Sequence, residues 1–282
     1  MSDAVAHDEL NVRLLLQTAT LGIRDVICGG TCRHKSPTES ATATHLVFPY
    51  RGVFVRHVGS AATVAEANQV VFFNDGQDYE ISHPVKGGDA CLSISIDHVL
   101  LRELTPRDQL FAGKTAVFRQ PRRGIDPRAQ ALVALLRHSL AGGAIETLEA
   151  ETLALTLIRR SLGERTSHAR ASSFGRAKLV DRTKLVLSSD PARRWTLGEI
   201  AGEIGVSPVY LTQLFAQVEG IPLYKYQLHL RLARALDLLS SYDSLTMLAL
   251  DLGFSSHSHF SAAFRQLYGR TPAEFQRSAH LR

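Results

Sequence analysis

Two groups of residues have types and spacings that could do chemistry. Cys28, Cys32 and His34 fall within seven positions, and Cys91 begins a later apolar segment. Thiolate and imidazole donors of this kind can hold a metal ion tetrahedrally. Arg33 and Lys35 lie alongside, and a thiol near positive charge is more reactive, so the same residues could form a redox pair. A third reading makes the cysteines small core residues, and all three stay open. The second group is near the C-terminus. Val209, Thr212 and Gln213 stand on one polar helix face, and His257, Ser258, Ser261 and Ala262 on another. Gln can bond adenine through two atoms, Ser and Thr can bond several base edges, and Val can touch a thymine methyl. His257 and His259 can donate to a base or a phosphate. Lys225, Arg231, Arg234, His259, Arg265 and Arg270 are the candidate phosphate contacts.

The second group sits on a repeat. Ala201 pairs with Ala249 and Gly205 with Gly253, each 48 positions apart. Leu211 pairs with Phe260, Phe215 with Phe264, Gly220 with Gly269 and Tyr226 with Phe275, each 49 apart. Each copy has the physics of a helix-turn-helix. A small residue lets two helices cross closely, and a Gly four positions later can take the positive φ that ends the first helix. Ser207 in one copy, and Ser255 or Ser256 in the other, then caps the second helix. The spacing predicts reading helices over Pro208 to Val218 and His257 to Leu267, with a preceding helix over Ala177 to Ser188.

The N-terminal half reads differently. From 26 to 96, short segments rich in β-branched and aromatic residues alternate with turn formers: His45–Phe48, Gly52–Val58, Gln69–Phe73, Tyr79–Ser82 and Cys91–Ile96. They predict a sandwich or small barrel, with Asp75-Gly76 as a hairpin turn. Asp97 is expected to cap a helix to Leu104. Helical spacing returns over Asp126 to Leu140 and Ile145 to Leu162, a hairpin whose apolar faces need the β domain or a second subunit as partner. Residues 163–175 are small and polar and read as a linker. The stretch from Val12 to Leu21 is only a short apolar segment.

Composition bounds the class. Hydrophobic residues make up 45% of the chain and charged residues 21%, as in a soluble globular protein. No apolar run reaches the ~18–20 residues of a membrane helix, and the first residues lack the pattern of a secretory signal. Three cysteines cannot build a disulfide framework, so a reducing cytoplasm is expected. The net charge is +5, but residues 1–172 carry 19 basic and 18 acidic side chains against 13 and 9 in residues 173–282. The basic excess thus lies with the repeat and suits a polyanion partner.

Residues 173–282 resemble the DNA-binding domain of AraC/XylS-type transcription regulators. The resemblance is carried by Gly253-Phe254, His259-Phe260-Ser261, Phe264-Arg265, Tyr268-Gly269, Thr271-Pro272 and Phe275, and by Arg231–Leu239 as the linker helix of that family. It implies seven helices forming two helix-turn-helix units joined by a long helix. Both reading helices would enter the major groove on one side of the DNA, about 34 Å apart. Gln213, Ala216, Gln217 and Ala262 stand where the family often has Arg or Lys, so less guanine reading is expected. The order of a β region before a helical hairpin also resembles the family's effector-binding, cupin-like barrel and dimerising helices. No His-x-His occurs before residue 257, so a catalytic cupin metal is not expected, and neither is a cofactor.

The expected fold is therefore α+β: a cupin-like β-barrel with a helical hairpin, then an all-α domain. The expected divisions are a sensor at 1–125, a dimerising hairpin at 126–164, a linker at 165–175 and a DNA-binding domain at 176–282. The expected function is a cytoplasmic, sequence-specific transcription regulator, an activator by the family's commoner role, that senses a small molecule. Its partners would be a double-stranded DNA operator, an effector of unknown identity, a second copy of the chain and RNA polymerase, with no membrane. A thiol- or metal-responsive regulator using Cys28, Cys32, His34 and Cys91 is the alternative. A cupin-type enzyme and an architectural DNA protein are further rivals, opposed by the missing His/Glu set and by the varied polar reading faces.

Overall fold

The computed structural model describes residues 10–30, 34–113, 116–163 and 174–279. The chain forms two compact units, one of residues 1–163 with 276–282 and one of residues 164–275.

The first unit begins with β1 (Leu10–Gln17) and β2 (Leu21–Cys28), then β3 (Glu39–Ser40), β4 (His45–Gly52), β5 (Phe54–Val58) and β6 (Ala61–Ala65). It continues with β7 (Gln69–Phe73), β8 (Asp78–Ser82), β9 (Asp89–Ile96), α1 (His98–Leu104), β10 (Arg122–Gly124), α2 (Pro127–Ala141) and α3 (Thr147–Leu162). Six strands form one sheet in the order β1-β2-β9-β4-β7-β10, and four form another in the order β3-β8-β5-β6. All the strand pairs are antiparallel.

The two faces of the six-stranded sheet have different uses, as period-2 alternation dictates. One face presents Leu21, Ile23, Leu46, Phe48, Val70, Phe72, Leu92 and Ile94 to α1, α2 and α3. The other presents Val47, Val71, Phe73 and Cys91 to Phe54, Ala65, Tyr79 and Ile81 of the second sheet. The apolar stripes of the hairpin, Ala129, Val133 and Leu136 on α2 and Ala150, Ala154, Leu157 and Ile158 on α3, are thus used on the sheet. Asp126 caps α2 by accepting from Ala129 N at 2.8 Å, and its carboxylate also pairs with Arg160 of α3.

Three expectations change. Val12 to Leu21 spans two strands, because β1 folds back on β2. β3, β6 and β10 are additional strands, too short or too poor in large apolar residues to stand out. Asp75-Gly76 does turn the chain, with φ of 67° at Gly76, but it joins no hairpin. β7 lies in one sheet and β8 in the other. Asn74 explains the crossing: its side chain accepts from Phe118 N at 2.8 Å and donates to Phe118 O at 3.3 Å, tying the corner to a distant loop. Most of the expected linker lies outside the described residues.

The second unit contains α4 (Phe174–Ser189), α5 (Leu197–Ile204), α6 (Pro208–Glu219), α7 (Leu223–Leu238), α8 (Leu245–Asp251), α9 (His257–Tyr268) and the start of α10 (Pro272–Ala279). Leu211, Leu214 and Phe215 of α6 pack with Ile200 and Ala201 of α5, Val180 of α4 and Tyr226 of α7. In the second copy, Phe254, Phe260, Phe264 and Phe275 form a chain of ring contacts. One of the basic residues on α4 is internal. Lys184 is fully buried, 2.7 Å from Glu219 of α6 and over the Tyr226 ring. Of its neighbours on α4, Arg176 and Arg182 are exposed.

Candidate nucleic-acid interface

The two helix-turn-helix units are built by matching devices. Thr196 caps α5 in a full capping box with Glu199: Thr196 Oγ1 accepts from Glu199 N, and Glu199 accepts from Thr196 N at 2.8 Å. The bonds that the Thr196 N–H and hydroxyl donate to the carboxylate, with the Arg193 guanidinium, hold the Glu199 carboxyl down at about 2. Gly205, at φ 79°, ends α5, and Ser207 caps α6 by accepting from Tyr210 N at 3.2 Å. In the second unit Ser244 caps α8, Gly253 takes φ 78°, and Ser256 caps α9 by accepting from His259 N at 3.1 Å. The second cap is therefore Ser256, while Ser255 Oγ lies 3.1 Å from His259 Nδ1. Gly220 and Gly269 close the reading helices at φ 75° and 76°.

The inward residues leave a defined outer face. On α6, Val209, Thr212 and Gln213 are exposed; Thr212 Oγ1 donates to Pro208 O at 3.0 Å, while Val209 is 69% exposed. Tyr210 is also exposed, and no sequence signal singles it out. On α9, His257, Ser258 and Ala262 are exposed and Ser261 is half-buried. His257 Nε2 and Ser261 Oγ lie 3.2 Å apart, one helical turn along the same face. His259 meets the Phe254 ring edge-on, so its ring is positioned by Ser255 and Phe254 together.

The candidate phosphate contacts divide into two kinds. Lys225, Arg265 and Arg270 are exposed, and Arg265 and Arg270 have no side-chain partner among the described residues. Arg231 and Arg234 are engaged within the protein. Arg231 of α7 donates to Pro191 O at 2.8 Å and to Arg193 O at 2.5 Å, and Arg234 pairs with Asp237. Gln227 adds a bond to Arg193 O at 2.9 Å, and Arg194 Nε donates to Gly253 O at 3.2 Å. The 190–195 loop thus ties the long helix to the turn of the second unit. Gly253 is needed there twice over, since a Cβ would stand 1.9 Å from Ala192 O.

Among the described residues, Cys28, His34 and Cys91 do not form a close cluster of donors. Among the described residues, the cluster whose donor atoms lie within 4.8 Å of one another is Cys28, His83 and Asp89. Cys91 is buried in the core between the sheets, where desolvation pushes its thiol up. His34 is exposed, and Cys32 lies outside the described residues. Spacing along the chain gives no hint of His83 and Asp89, because they join Cys28 only through sheet register.

The sequence comparisons with known proteins point the same way as this geometry. Residues 200–278 match the family model described as "Helix-turn-helix domain". The chain is 30% identical to the probable transcriptional regulator LumQ of Photobacterium leiognathi over 249 residues, covering 84% of this chain and 93% of LumQ. It is 37% identical to the HTH-type transcriptional regulator GadX of Escherichia coli O6:H1 over 96 residues, 34% of this chain. That match spans about a third of GadX, 35% of its length. Among solved structures, ToxT of Vibrio cholerae O395 is 12% identical, with 93% of this chain and 99% of that one covered and a TM-score of 0.36. A transcriptional regulator of Chromobacterium violaceum, described as AraC-type, is 31% identical over 38% of this chain and 97% of that one, with a TM-score of 0.36.

Proposed function

The chain belongs to the AraC/XylS-type transcription regulators, a DNA-binding family and not an enzyme family, and from that premise we propose that it reads a specific operator with α6 and α9. The carrying observation is the pair of capped helices that bury Leu211, Phe215, Phe260 and Phe264 and leave Val209, Thr212, Gln213, His257, Ser258 and Ala262 outward. Gln213 reads an adenine, Val209 a thymine methyl, and His257 with Ser261 a base edge. Lys225, Arg265, Arg270 and the N-termini of α6 and α9 anchor phosphates. Arg231 acts as a positioning residue, because its guanidinium already holds the 190–195 loop. In this reading residues 176–282 are the DNA-binding domain and 165–175 the linker.

The first unit is the sensor, its two sheets facing each other as walls of a cupin-like barrel. What supports a small-molecule effector is Arg56, 3% exposed between the sheets with no carboxylate partner among the described residues. It donates to Phe72 O, lies over the Phe73 ring, and burial brings its pKa down to about 10. An uncompensated buried cation favours an anionic ligand. Effector binding would act by favouring one arrangement of the two DNA heads over another, as an activator of RNA polymerase in the cytoplasm. A homodimer is supported by Leu10, Val12 and Leu14, 47–55% exposed along the edge strand β1.

The direct test compares two variants on a selected operator and on scrambled DNA. Gln213→Ala is expected to lose about 1–3 kcal/mol of discrimination at one or two base pairs. Arg265→Ala is expected to weaken both DNAs alike and to lower the salt slope by about one. Unchanged discrimination in Gln213→Ala would remove it from the base-reading set.

A further inference from the structure

We propose that Cys28, His83 and Asp89 form a binding site for a divalent transition metal ion of the zinc class. The three residues come from separate places in the sequence, and the fold brings them together. Cys28 ends β2 and Asp89 begins β9, and the two are direct cross-strand partners. His83 follows the last residue of β8, in the facing sheet. Its Nε2 lies 2.6 Å from Asp89 Oδ1, and the Cys28 sulfur lies within 4.8 Å of the His83 and Asp89 donor atoms. His83 and Asp89 are 7% and 6% exposed, so little water competes for them.

The backbone around the cluster is fixed. Gly30 and Gly88 both take positive φ, and their segments cross with no room for side chains. A Cβ on Gly30 would stand 2.4 Å from Gly88 Cα and 3.2 Å from His83 Cδ2, and one on Gly88 would stand 2.1 Å from Cys28 O. Such a crossing holds the three donors where they are before any ligand arrives.

The donor set decides the class of ion. The sulfur is a soft donor, the imidazole nitrogen borderline and the carboxylate oxygen hard, a mixed set that suits zinc and disfavours magnesium or calcium, which take oxygen ligands. A thiolate and a carboxylate carry two negative charges, which a divalent ion neutralises in a buried setting. A metal takes a deprotonated thiol and a free imidazole nitrogen, so loading is accompanied by proton release. With three protein ligands a tetrahedral ion keeps one open position for water or another small ligand. Donor atoms within 4.8 Å of one another can close on one ion at metal–ligand distances of about 2.0–2.3 Å by side-chain adjustment on the fixed backbone. This site goes beyond the DNA-binding reading and does not depend on it.

The test uses the full chain, freed of metal under reducing conditions and titrated with Co²⁺ in the absence of DNA. The expected result is one Co²⁺ per chain, with a sulfur-to-cobalt charge-transfer band, strong tetrahedral visible bands and displacement by Zn²⁺. Cys28→Ser is expected to abolish the charge-transfer band, and His83→Gln and Asp89→Asn each to weaken binding at least about tenfold. Cys91→Ala is expected to retain the spectrum. A second measurement guards against misfolded variants: in the unaltered chain, Zn²⁺ is expected to slow alkylation of Cys28 at least about tenfold. Absence of the band, a band that survives Cys28→Ser, or alkylation of Cys28 unaffected by Zn²⁺ would overturn the proposal. Fast oxidation of Cys28 without metal uptake would also overturn it, marking a reactive thiol instead.

Discussion

At the scale of single residues, the chain assigns its charges to two kinds of work. Arg265 and Arg270 are left exposed, whereas Lys184, Arg231 and Arg234 are engaged inside the second unit. Sequence alone cannot divide them, because burial depends on which helix turns inward and all five share one charge. Glu199 is legible in principle, since Thr196-x-x-Glu199 is a capping-box pattern, yet it carries no chemistry that draws attention. Its carboxyl is held at about 2 against 4.5 for an ordinary glutamate, first by the Thr196 backbone and side-chain bonds and then by Arg193. A depressed pKa contributes stability above the unfolded value and loses it as pH falls through the folded one. Thermal melts from pH 5 to about 1.5 should therefore show an acid-dependent loss that Glu199→Gln reduces. An identical acid slope in that variant would mean that the cap is not formed in solution.

At the scale of elements, periodicity is readable wherever an element has one buried face. Gln69–Phe73 appears at the expected positions, and α2, α3, α6 and α9 start or end within two residues of them. The losses come at strands without a buried apolar face: β1 alternates apolar and polar residues from Leu10 to Leu14 but exposes Leu10, Val12 and Leu14, and β6 is largely alanine. The Asp75-Gly76 turn is legible, but its partner strands are not, because sheet membership is set by contacts far along the chain. The duplicated turn glycines give a sharp contrast at this scale. Gly205→Ala meets open space and carries only the left-handed backbone cost of about 1–2 kcal/mol. Gly253→Ala adds a collision with Ala192 O and must displace the 190–195 loop. Urea denaturation should show Gly253→Ala losing at least about 2 kcal/mol more than Gly205→Ala. Equal losses would show that the loop is not packed against the second turn.

At the scale of the whole molecule, the split into a β-rich unit and a helical helix-turn-helix unit follows from order and charge, while the cysteine cluster does not. Cys28 is visible, but His83 and Asp89 need the register of β2 on β9 and the end of β8 to reach it. A dimerising role is expected for the hairpin of α2 and α3, yet its apolar stripes serve the six-stranded sheet. The exposed stripe of Leu10, Val12 and Leu14 on β1 is proposed as a second surface for self-association, beside the hairpin. Sedimentation of the full chain is expected to show a dimer that Val12→Lys dissociates, and a dimer indifferent to that change would place the interface elsewhere. The central claim is that α6 and α9 read a defined DNA sequence. It is tested most directly by selecting bound fragments from a random DNA library with the purified full chain, at fixed salt, with and without Zn²⁺. Enrichment of a motif with two boxes about one helical turn apart is expected, with loss of the information in one box in Gln213→Ala. Binding that enriches no sequence while still falling steeply with salt would contradict the claim, since that behaviour belongs to phosphate contacts alone.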